Sequence, residues 1–164
     1  MATSEHREAA KGQRAACAVL TISDTRIKEN DSSGRIIIQS LEAAGHHIRA
    51  YEIAKDEPDQ IDAQIQRWLA LGGFEVIITT GGTGISSRDT TIEVVQRRLE
   101  KTLDGFGELF RMLSWDQVGP AAMLTRAIGG LIGETLVFVL PGSNNAVTLA
   151  MTQLIGPELP HLIW

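Results

Sequence analysis

Apolar and polar positions follow two periods along this chain, and they punctuate it into alternating elements. Residues 15–22, AACAVLTI, are an unbroken apolar run, the pattern of a strand buried on both faces. Ser23, Asp24 and Thr25 end it as turn residues. A helix is expected over 33–44, with Ile37, Leu41 and Ala44 on one side, Asp31 or Ser32 as its cap, and Gly45 at the left-handed stop. His47–Ala54 alternates as a second strand, and KDEPDQ reads as the loop after it. Asp59 can cap a helix whose apolar residues Ile61, Ile65, Trp68 and Leu69 share one face; Gly72 and Gly73 stop it. Residues 74–79 give a third strand, and 90–101 a helix with Ile92, Val95 and Leu99 on one face. A short helix carrying Leu109, Met112 and Leu113 follows. Residues 123–133 read as two short extended pieces about a Gly-Gly bend, and 134–140 as a strand. Ser143 can cap a last helix, AVTLAMTQLI. The tail GPELPHLIW holds two prolines, with Leu162, Ile163 and Trp164 expected to dock on the body or on a neighbour. Residues 1–14 lack apolar periodicity and are expected to be a flexible tail, leaving 15–164 as a single domain.

Strand, helix, strand, helix, strand in this order argues an α/β domain built on a parallel sheet. In such sheets ligands gather at the carboxyl ends of the strands. Three polar segments leave those ends: Ser23-Asp24, Lys55-Asp56-Glu57, and the stretch 79–91, TTGGTGISSRDTT.

Composition narrows the picture. A length of 164 residues suits one domain, and 43% hydrophobic residues suffice for a full core. The net charge of −5 argues against a nucleic-acid or anionic-membrane partner. One cysteine, Cys17, excludes an internal disulfide and reads as a small core residue. No apolar stretch approaches the ~20 residues of a membrane span, and the N-terminus has no signal-peptide core, so a cytoplasmic protein is expected.

The stretch 79–91 carries the candidate chemistry. Gly81, Gly82 and Gly84 permit close backbone approach, Thr83, Ser86 and Ser87 supply hydroxyls, Arg88 a charge, and Asp89 a carboxylate. Backbone N–H groups at such a loop-to-helix junction favour anions. It is neither a Walker A motif nor a dinucleotide fingerprint. A second junction of the same kind is Pro141-Gly142-Ser143. Asp56 and Asp89 both follow predicted parallel strands and could pair around Mg²⁺, which takes one or two carboxylates plus phosphate oxygens. Each could equally cap the helix after it. His6, His46, His47 and His161 adjoin none of these loops and are expected at the surface, so no nucleophilic triad is in view. Chemistry by alignment and charge neutralisation, as in phosphoryl or nucleotidyl transfer, fits what remains.

TTGGTGISSRDTT, together with PGS at 141–143, GFGELFRMLSW at 105–115 and D-x-S-G at 31–34, resembles the molybdopterin-binding family of molybdenum cofactor biosynthesis. The likeness is greatest to its small B-type proteins, relatives of the molybdopterin adenylyltransferases, and covers nearly all of 15–164. It implies a three-layer, Rossmann-like, mostly parallel sheet with helices on both faces. It further implies adenylylation of molybdopterin by Mg-ATP with release of pyrophosphate, or, as the alternative, a non-catalytic molybdopterin-binding protein of the same pathway. By resemblance Asp56 and Asp89 are catalytic and hold Mg²⁺. Gly81, Gly82, Thr83, Gly84, Ser114, Pro141, Gly142 and Ser143 bind the pterin phosphate, and Ser23 and Asp24 lie on the ATP side. The family implies a homotrimer or homohexamer, with the C-terminal end and the helix around Phe110 and Trp115 as contact surfaces.

Overall fold

The computed structural model describes residues 2–163, with side chains from residue 5 onward. Six strands form one sheet in the order β2-β1-β3-β6-β5-β4. They are β1 Ala16–Ile22, β2 His47–Ala54, β3 Val76–Thr80, β4 Lys101–Thr102, β5 Ile128–Ile132 and β6 Thr135–Leu140. β2, β1, β3 and β6 run parallel, and β5 and β4 close one edge in antiparallel fashion.

Alternate side chains along the parallel strands feed two cores, one on each face. Cys17, Val19, Val76, Ile78, Phe138 and Leu140 pack under the helices α2 (Ser32–Ala43), α5 (Asp104–Val118), α6 (Asn144–Ala150) and α7 (Gly156–Leu162). Ala18, Leu20, Ile77, Val137 and Val139 pack on the other face under α3 (Pro58–Leu71) and α4 (Thr91–Gln96). The result is the expected three-layer α/β architecture with helices on both faces. Because every crossover returns to a parallel strand, the loops after β1, β2, β3 and β6 all emerge at one edge.

Local stop and start signals act as the sequence implies at several points. Asp31 accepts the Gly34 N–H at the head of α2, Ser143 accepts the Ala146 N–H at the head of α6, and Gly45, Gly72 and Gly73 take positive φ. α3 begins differently: Pro58 occupies its first turn, so Asp59 lies inside the helix and does not cap it. The helix expected over 90–101 ends at Gln96, and Lys101 and Thr102 pair with β5.

The chain does not bend at Gly129-Gly130; it turns at Gly133, between β5 and β6. Gly129 and Gly130 lie inside β5, where an added Cβ would overlap Phe138 or the Lys101 carbonyl; the glycines serve close packing. The segment expected to be a short helix is the fifteen-residue α5, continued by a 3-10 turn at Gly119–Leu124. The C-terminal tail is helical despite its prolines. Met151–Ile155 winds as a π-turn between α6 and α7, and Pro157 falls in the first turn of α7. Leu162 lies in α7, partly exposed, and Ile163 packs against the core, while the expectation for Trp164 lies outside the described residues. Within the stretch expected as a flexible tail, Ala2–Ala10 forms α1, which meets α7 through an Arg7–Glu158 ion pair and the edge-on rings of His6 and His161.

Candidate functional site

The glycine loop turns sharply out of β3 because its first two residues take positive φ, 102° at Gly81 and 63° at Gly82. A side chain at Gly81 would strike the Ile22 carbonyl on β1. One at Gly82 would overlap the Thr91 hydroxyl and lie 3.0 Å from Asp56 Oδ1. So the backbone of the loop after β3 lies directly against the ends of β1 and β2, and only glycine fits. The Gly82 carbonyl accepts the Thr91 N–H at 3.1 Å, which fixes the start of α4 to the loop. At Gly84 a Cβ would lie 2.6 Å from Asp89 Oδ2. That carboxylate folds back inside the loop and accepts the Ser86 N–H at 3.0 Å. Asp89 and Asp56 therefore both face the glycines, from opposite ends of the loop.

The loops from β1 and β6 join them. The Asp56 N–H donates to Asp24 Oδ1 at 3.1 Å. Arg88 spans Asp24 at 2.8 Å and Glu57 at 3.3 Å. Thr80 Oγ1 donates to the Pro141 carbonyl, and a Cβ on Gly142 would come within 3.2 Å of Gly81 Cα. Ser143 reaches this edge, with its hydroxyl engaged in capping α6. Ser23 turns the chain after β1, its Oγ accepting the Arg26 N–H at 3.1 Å. Thr83 is buried at the loop's turn. Ser114 lies elsewhere in role: it is buried on α5, and its hydroxyl donates to the Phe110 carbonyl of its own helix.

The electrostatics of the cluster are acidic. Burial, then the charges of Asp89 and Asp24, push the Asp56 carboxyl up from its ordinary value; Arg88 opposes this and Glu57 adds to it. Asp56 Oδ1 is buried with no hydrogen-bond partner, as are the hydroxyls of Thr79, Thr90 and Thr91. Among the described residues no group of three His, Cys, Asp or Glu side chains is arranged to hold a metal alone. Two carboxylates that repel each other across a glycine loop suit a divalent cation only when phosphate oxygens and water complete its shell.

Sequence reasoning missed several participants. Arg126, just before β5, donates through Nε to the Thr83 carbonyl at 3.0 Å and pairs with Glu93 on α4. No periodicity marks a lone arginine in a connection; its role depends on β5 lying beside β6. His46, expected at the surface, is 3% exposed, and its Nδ1 accepts the Ala15 N–H at 3.0 Å. Cys17 is buried as expected, and burial pushes its thiol up to about 12, which keeps it inert.

An open, mostly parallel sheet with a glycine loop and two facing carboxylates at its carboxyl edge defines the class: an α/β domain of the three-layer, ligand-at-the-edge type. Comparison with known proteins makes this particular. Residues 18–161 match the family described as a probable molybdopterin binding domain. A protein of Bacillus cereus named molybdenum cofactor biosynthesis protein B is 47% identical over 163 residues, covering 99% of this chain and 96% of that protein. A crystal structure of a molybdenum cofactor biosynthesis protein B superposes with a TM-score of 0.89 at 47% identity, covering 92% of this chain and 94% of that one. The tungsten cofactor synthesizing protein MoaB from Pyrococcus furiosus gives 0.84 at 38% identity, covering 92% and 96%. The chain belongs to the molybdopterin-binding family of molybdenum cofactor biosynthesis.

Proposed function

We propose that this protein transfers an adenylyl group from Mg-ATP to molybdopterin. The observation that carries the reading is that Asp56 and Asp89 flank one glycine loop, at Gly82 and Gly84, with the unpartnered hydroxyls of Thr90 and Thr91 at its far end. In the reaction an oxygen of the pterin's terminal phosphate attacks the α-phosphorus of ATP. The new P–O bond forms as the α–β phosphoanhydride bond breaks, and pyrophosphate leaves. Gly81, Gly82, Thr83 and Gly84, with the Pro141-Gly142-Ser143 turn, would cradle the pterin phosphate, and Ser23 and Asp24 would border the nucleotide. Asp56 and Asp89 would hold Mg²⁺ together with phosphate oxygens, and the bound ion would supply charge neutralisation at the transferring group. The mutual repulsion of the two carboxylates supports that assignment. Relatives named for molybdenum cofactor biosynthesis support the pathway.

The test is pyrophosphate release by the wild type beside Asp56→Asn and Asp89→Asn, with molybdopterin, ATP and Mg²⁺ supplied. Turnover in the wild type alone supports transfer. Pterin binding by all three without ATP consumption replaces it with the second reading, a non-catalytic pterin-binding protein. The exposed row Met112, Trp115, Val118, Met123 and Leu124 on α5 and the turn after it supports self-association.

A further inference from the structure

Two buried groups at Gly82 lack what the other offers. Thr91 is fully buried and its hydroxyl, a donor, has no partner. Asp56 Oδ1, an acceptor, is buried and has none either. Both oxygens press on the same side of Gly82, where an added Cβ would overlap the first and lie 3.0 Å from the second. The Thr91 backbone N–H is already tied to the Gly82 carbonyl, so the side chain is held at this spot by its own main chain. Orphaned buried hydroxyls and carboxylate oxygens are costly, and these two lie within 3.0 Å of one point, the place a Gly82 Cβ would take.

We infer that Thr91 is the positioning residue for Asp56. When the glycine loop tightens on its ligand, the Thr91 hydroxyl donates to Asp56 Oδ1. That bond fixes the carboxylate's rotation and leaves Oδ2 facing outward, toward the ligand. The side chain acts through Asp56 and does not itself touch the reacting atoms. The glycine at 82 is then required twice over, for its φ and for the space in which the two oxygens meet. The inference rests on the adenylyl-transfer reading of Asp56, and its test must be separable from that reading.

The test compares Thr91→Val, Thr91→Ser and Thr79→Val with the wild type. Thr79→Val is the matched control: another fully buried threonine with an unpartnered hydroxyl, on β3 and with no contact at Gly82 among its nearest atoms. Two readouts are taken. One is Mn²⁺–ATP affinity by calorimetry without pterin; the other is pyrophosphate release, split into kcat and the KM for molybdopterin. Thr91→Val should weaken Mn²⁺–ATP binding about tenfold and lower kcat by at least as much, with the pterin KM little changed. Thr91→Ser should restore both to within about threefold, and Thr79→Val should match the wild type. Thermal unfolding of ligand-free Thr91→Val should occur at or above the wild-type temperature, because it loses an unsatisfied hydroxyl. Wild-type behaviour in Thr91→Val, failure of Thr91→Ser to rescue, or an equal loss in Thr79→Val overturns the inference. A wild type that binds Mn²⁺–ATP but releases no pyrophosphate removes the transfer reading while the affinity series still decides on Thr91. A wild type that binds no Mn²⁺–ATP overturns both.

Discussion

Arg126 and Glu93 form a two-pronged ion pair, Nη1 to Oε1 at 2.6 Å and Nη2 to Oε2 at 3.1 Å, and the same guanidinium reaches the carbonyls of Thr83 and Asp89. One side chain from the strap before β5 thus grips both ends of the glycine loop. The hydrogen bond from Arg126 holds the Glu93 carboxyl below its usual range against the opposing effect of burial.

Replacing Arg126 should loosen the loop more than it destabilises the protein. The pair is partly exposed, 29% at Arg126 and 51% at Glu93, so its worth to global stability is about 1 kcal/mol or less. Lysine cannot reproduce the fork that reaches Thr83, Asp89 and Glu93 at once. Arg126→Lys should therefore speed amide hydrogen exchange at 83–89 by about tenfold or more with little change in the unfolding midpoint. Exchange confined to wild-type rates would show the loop to be held by its other contacts.

Asp31 should be among the costliest residues to lose. Its carboxylate is fully buried and accepts from Thr21, Tyr51, Gly34, Arg26 and Ser33. Burial alone would raise its pKa, but the donors on Thr21, Tyr51, Gly34 and Arg26 outweigh burial and lower it. Asp31→Ala removes the acceptor shared by all five donors, a cost of about 3 kcal/mol or more by denaturant unfolding. A carboxyl with a depressed folded pKa stabilises above its unfolded value of 3.8, and that contribution is lost as pH falls through the folded value. The wild type should lose it below pH 3.8, and Asp31→Ala has none to lose.

His46 should make the fold sensitive to mild acid. Burial, then the charges of Arg14 and His47, lower its pKa from 6.5. Its Nδ1 must stay unprotonated to accept the Ala15 N–H. The unfolded chain takes up a proton first, so this stability is present above pH 6.5 and declines as pH falls from there through the folded value. Unfolding midpoints between pH 8 and pH 5 should fall in the wild type and fall less in His46→Gln.

Two glycines should respond oppositely to alanine. Gly82→Ala introduces a methyl at positive φ into the oxygens of Thr91 and Asp56, costing about 1–3 kcal/mol and disrupting the site. Gly105→Ala, in the first turn of α5 with nothing within 4 Å of its added methyl, should stabilise by about 0.5–1 kcal/mol. Thermal unfolding of the two variants checks both signs.

Trp115 should report on self-association. It is 58% exposed and lies beside Met112 at 59% and Met123 at 79%, an exposed apolar patch of the kind that marks interaction surfaces. Trp115→Glu should shift the protein to a smaller species by sedimentation velocity. An unchanged distribution would move the contact surface elsewhere.

Much of this protein was legible in one dimension because its signals are local. Period-two and period-3.6 apolar spacing set the strands and helices, Asp31 and Ser143 cap as their chemistry dictates, and Gly45, Gly72 and Gly82 sit where φ must be positive. The glycine loop and its two aspartates could be nominated from residue type and position alone. Tertiary structure decided what depends on which strands lie side by side. It made Gly129 and Gly130 a packing surface for Phe138 and Lys101 where the sequence suggested a bend. It buried His46 against Ala15, carried the C-terminal segment through two prolines as helix, and docked α1 on it. It also brought Arg126 across to the loop and set both Thr91 and Asp56 against Gly82. Periodicity records which face a residue shows to the core; only the folded sheet, with its strand order fixed, determines which distant side chain waits on the other side.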